Sequence, residues 1–163
     1  MLLFQAGYSG ESSAFGPSPV VPFTLPGPSL YDSEAGYVTQ VPGDAGPAVT
    51  ASSPGTLGTF FDGPWAGLPA GNFSVRLWLH ASTTDLGPAP LPSESVLWIG
   101  MSAFAQNPYA AVSLTFGALA TPGWVTETFN ITVPEPSILF AVQGVTLATD
   151  VQLFVEALEV TPS

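Results

Sequence analysis

The chain has 163 residues, about the length of one domain, and only 8% of them are charged against about 25% in an average globular protein. Arg76 is the single basic side chain, there is no lysine, and 12 carboxylates bring the formal net charge to −11. Partners whose phosphates need clustered cations are therefore excluded, so nucleic acid and anionic membrane surfaces are not expected. A Walker loop and Schiff-base chemistry both need a lysine. The absence of cysteine removes thiol nucleophiles, disulfides and Cys-based zinc sites. One histidine, His80, cannot build a multi-His metal cluster.

The remaining composition points to β structure. Gly (17) and Pro (18) exceed a fifth of the chain, yet 46% of residues are hydrophobic, a pairing that reads as many short strands joined by turns. Residues 1–5 have no positive segment and too short an apolar run for a secretion signal, and no apolar stretch approaches the roughly 18 residues that span a bilayer.

In chain order, residues 1–36 read as an arm, with Pro17, Pro19, Pro22, Pro26 and Pro28 removing backbone donors and limiting regular pairing to edges. Its apolar pieces, 2–4 and 20–23, are short edge strands or remain solvated. From Gly36 on, alternation becomes regular. Segments 37–41 and 48–51 flank a turn, 56–61 follows, and Asp62-Gly63-Pro64-Trp65 reads as a loop. The strongest strand is 72–81, with Phe73, Val75, Leu77 and Leu79 on one face and Ser74, Arg76, Trp78 and His80 on the other. Further strands are expected at 95–104, 111–116, 124–133, 137–142 and about 150–160. Helix signals are almost absent. The expectation is an all-β antiparallel β-sandwich of jelly-roll type over 37–163, preceded by the Pro-rich arm.

The run from Gly63 to Leu79, with Leu68-Pro69-Ala70-Gly71 opening the alternating strand, resembles galactose-binding-like jelly-roll domains. Trp124, which opens a later strand ending Phe129-Asn130-Ile131-Thr132-Val133-Pro134, and the closing apolar-acidic strand 150–160 extend the resemblance over residues 36–160. It implies a fold found in carbohydrate-binding modules, secreted adhesins, and viral decoration and fibre proteins.

Arg76, Trp78 and His80, with Trp98 from a neighbouring strand, form the candidate ligand face: a flat aromatic covers the C–H groups of a sugar while polar groups take its hydroxyls. The competing reading buries those tryptophans under the arm or a second subunit. Arg76 is expected in a buried or interfacial ion pair with one of the 12 carboxylates. No G-x-S-x-G elbow accompanies His80, and no catalytic set is recognised. No cofactor is expected; a calcium ion held by Asp32, Glu34 and Glu156 is the one metal considered, and the spacing fits no EF-hand. The sequons Asn72-Phe73-Ser74 and Asn130-Ile131-Thr132 lie within strands and are read as chance.

A mean hydropathy of +0.40 with few charges suggests that surface is covered by other chains. The leading expectation is a non-enzymatic structural protein of a virion surface. It would be a capsid decoration or fibre protein that forms a homo-oligomer, trimer favoured, through Leu2, Leu3, Phe4, Val20, Val21, Phe23 and Leu25. Removing residues 1–28 would then leave a soluble monomer. The alternative is an extracellular carbohydrate-binding module or adhesin domain that uses the aromatic face, with glycans as partners.

Overall fold

Alternating apolar residues make strands that bury one side only, and two such sheets cover each other. The computed structural model describes residues 21–30, 36–40, 47–51, 57–85, 87–103, 110–134 and 137–163. The described strands are β1 (Phe23–Pro26), β2 (Gly36–Gln40), β3 (Pro47–Ala51), β4 (Gly58–Leu68), β5 (Gly71–Thr83), β6 (Ser95–Ala103), β7 (Ala110–Thr115), β8 (Val125–Val133), β9 (Ser137–Thr146) and β10 (Val151–Pro162). A 3-10 turn spans Gly27–Leu30, and α1 (Phe116–Leu119) is one helical turn that buries Leu119.

Sheet A runs β2-β3-β10-β5-β8, with β1 also on β10, and sheet B runs β4-β9-β6-β7; every described pairing is antiparallel. The antiparallel β-sandwich expected from the alternation is the fold observed. The core lies between the sheets, where Val75, Leu77, Leu79, Val155 and Leu158 of sheet A meet Phe60, Phe61, Ile99, Phe140 and Val142 of sheet B, all essentially without solvent exposure.

Strand β10 organises sheet A. Val151, Leu153 and Val155 point inward, a bulge at Glu156 inserts one residue, and Leu158 and Val160 then take over the inward face. One edge of β10 pairs with β5 throughout, while the other is shared between β3 at Phe154–Val155 and β1 at 157–160.

Two expectations are corrected. Asp62 to Trp65 is not a loop, because β4 runs straight through it. Strand β4 is the edge of sheet B, where Pro64 forfeits no ladder donor that a neighbour needs. Gly63 at φ 152° and three register shifts absorb the irregularity.

The second correction concerns the arm, whose last part belongs to the sandwich. Phe23 to Pro26 pair with Val160 to Ala157, and Leu30 is fully buried. Val21 and Phe23 pack against this chain's own core, and Leu25 lies half-buried opposite Leu158, so all three make contacts within the chain. Removing residues 1–28 would take β1 from sheet A, so a soluble monomer is no longer the expected product. Leu2, Leu3, Phe4 and Val20 lie outside the described residues, as do Asp32 and Glu34 of the calcium expectation.

Candidate functional site

Strand β5 sends Phe73, Val75, Leu77, Leu79 and Ala81 into the core, and period two then puts Ser74, Arg76, Trp78, His80 and Ser82 on the outer face of sheet A. The register with β10 and β8 supplies their neighbours. Arg76 lies between Glu159 and Thr128, Trp78 between Ala157 and Thr126, and Ser74 between Thr161 and Asn130.

Arg76 Nη1 stands 3.3 Å from Glu159 Oε2, an ion pair as expected but not a buried one, since the two side chains are 46% and 28% exposed. The guanidinium carbon also lies 5.8 Å from the centroid of Trp78. The pair therefore steadies the half-buried indole and sets a donor fork and a carboxylate beside it. Solvent screening keeps its contribution to stability below about 1 kcal/mol.

Farther along the same face, the His80 ring is stacked on Phe154 (centroids 6.0 Å apart, 29°) and meets Trp124 edge-on (6.0 Å, 64°). His80 Nδ1 donates to the carbonyl oxygen of Gly123 at 3.0 Å; a carbonyl only accepts, so the ring proton sits on Nδ1. Gly123 takes φ 89°, a turn conformation that delivers Trp124 to the head of β8. His80 is thus built into an aromatic cluster, with its Nδ1 held by backbone rather than by the carboxylate of a catalytic triad. Among the described residues, no three His, Asp or Glu side chains gather in a metal-binding group.

Three of the four expected ligand residues, Arg76, Trp78 and His80, share one face. Trp98 does not join them. The connection between β5 and β6 carries the chain to the other sheet, and Leu97 and Ile99 point into the core, which sends Trp98 out on the far side of sheet B. In its place Trp124 and Phe154 complete the cluster on sheet A. Their proximity depends on the register of β5 with β8 and β10, with Leu79 opposite Val125 and His80 opposite Phe154. Local alternation carries no signal for that register.

No protein-family model matches the sequence, and no curated protein matches it significantly. Solved structures do match in fold. The C-terminal family 6 carbohydrate-binding module of a marine laminarinase from Zobellia galactanivorans superposes with a TM-score of 0.57 at 11% identity, covering 85% of this chain and 98% of that one. A carbohydrate-binding module from Cellvibrio mixtus lichenase 5A, solved with cellotriose, gives 0.57 at 10% identity, covering 88% and 99%. A family 35 carbohydrate-binding module from Clostridium thermocellum gives 0.53 at 10% identity, covering 90% and 96%. The chain has the β-sandwich fold of these carbohydrate-binding modules, over nearly their whole length.

Proposed function

We propose that this chain is a non-catalytic carbohydrate-binding module that holds neutral polysaccharide on the outer face of sheet A. The observation that carries the reading is Trp78. Its half-buried indole lies on an outer sheet face, flanked by the Arg76 guanidinium, the Glu159 carboxylate and the exposed hydroxyls of Thr126 and Thr128. An indole face covers the C–H side of a pyranose, while the fork, the carboxylate and the hydroxyls exchange hydrogen bonds with its hydroxyl groups. Trp124 and His80 extend the aromatic surface along β5. A net charge of −11, with the lone cation already paired, disfavours acidic polymers and leaves neutral ones.

The fold likeness supports this reading over assembly into a virion. The assembly reading drew on the apolar, weakly charged surface as well as on the arm, and Val21, Phe23 and Leu25 of the arm make contacts within the chain. Polysaccharide as ligand also agrees with an extracellular setting.

The test is calorimetric titration of Trp78→Ala with the polymer that the wild-type chain binds. Loss of one stacked aromatic lowers affinity about tenfold, with unchanged circular dichroism and melting temperature because the side chain stands outside the core. Equal affinity in wild type and variant removes Trp78 from the site.

A further inference from the structure

The opposite outer face carries an aromatic of its own. Trp98 lies back along β6 over Gly100, so closely that a Cβ at position 100 would overlap its six-membered ring. The indole is therefore laid on backbone, with Gly100 buried beneath it and Trp98 itself half-buried. Register sets Val145 and Ser113 beside Trp98, and Gln143 and Ala111 beside Gly100. Ser113 and Ala111 are small and exposed, which leaves the flank toward β7 open. On the other flank Gln143 Nε2 donates to Thr59 Oγ1 at 3.3 Å, which steadies the amide and leaves its oxygen to accept from a hydroxyl. The only arginine lies on the other sheet and lysine is absent, so this face holds neither cation.

We infer that Trp98 on its Gly100 seat is a second sugar platform for neutral polysaccharide, and that the chain bridges two polymer strands. The inference rests on the carbohydrate-binding reading above. A ring braced on backbone is preorganised, since it loses little freedom when a pyranose stacks on it. Glycine at position 100 is what allows the brace. Packed sheets stand about 10 Å apart, and Trp78 and Trp98 point away from each other, so a polymer strand stacked on one face does not meet the other. Two weak platforms on one particle that engage two strands give avidity and cross-linking without new contacts.

The experiment compares wild type, Trp78→Ala, Trp98→Ala and Gly100→Ala. Each is run through gels containing mixed-linkage β-glucan, xylan or β-1,4-galactan, and mixed with the same polymers in solution for turbidity. Circular dichroism checks each fold. In the polymer that retards the wild type, each variant is expected to bind about tenfold more weakly yet still be retarded. Only the wild type clouds the solution, because bridging needs both faces. Gly100→Ala keeps the tryptophan and only lifts it from its seat, so its agreement with Trp98→Ala ties the effect to the posture of the ring. If Trp98→Ala and Gly100→Ala match the wild type while Trp78→Ala loses binding, the second platform is overturned and the first face stands. A wild type that no polymer retards overturns both.

Discussion

Gly27 shows how one missing methyl group positions a whole segment. A Cβ there would run into the carbonyl oxygen of Val155, backbone atoms of β10 that cannot rotate away. The contact lies where β10 bulges at Glu156 and where the chain leaves β1 for the turn ending at Leu30. Gly27→Ala is expected to destabilise the fold by about 1–3 kcal/mol, lowering the melting temperature by about 2–4 °C per kcal/mol; an unchanged melting curve would contradict the close packing. Gly144, roofed by the Phe61 ring, is a second seat of this kind inside the core, and Gly100 under Trp98 is one on the surface. None of the three was legible in the sequence: a glycine within a strand, as at 100 and 144, shows only that something approaches closely and not what does, and Gly27 lies in a proline-rich run.

At the scale of elements, alternation placed β5 well, because Phe73, Val75, Leu77 and Leu79 repeat without interruption and all four are buried. It failed where partners decide. Gly63 and Pro64 read as a turn, and only the position of β4 at a sheet edge makes them a strand. Consecutive strands usually neighbour each other, yet β5 and β6 lie in opposite sheets, so a face combining Trp78 with Trp98 does not exist. The segment before β2 looked like an arm because proline dominates it; its value to the fold lies in pairing with β10 and in Leu30. Leu30→Ala is therefore expected to cost about 2–5 kcal/mol, as a buried leucine does, measured by urea unfolding. A change near zero would return the segment to the status of an arm. On β8, the outer strand of sheet A, Glu127 occupies an inward phase opposite Leu77, a charge that discourages edge-to-edge pairing with another chain.

At the scale of the molecule, the charge distribution and the fold act together. Arg76–Leu77 is the only bond open to trypsin, and it sits in the middle of β5, hydrogen-bonded to β10 and β8, with Leu77 fully buried. Cleavage requires global opening, so the folded chain is expected to outlast trypsin and to yield just two fragments, 1–76 and 77–163, once unfolded. Cutting of the native chain at the rate of the unfolded one would contradict the placement of β5. The same surface, with a net charge of −11 and tryptophans on both outer faces, suits a ligand that is uncharged and flat-sided. The central claim is tested most directly by electrophoresis of the wild-type chain through gels containing neutral polysaccharides or polygalacturonate. The account predicts retardation by at least one of the neutral polymers and none by the polyanion. Free migration in every neutral gel, or retardation by polygalacturonate alone, would contradict it.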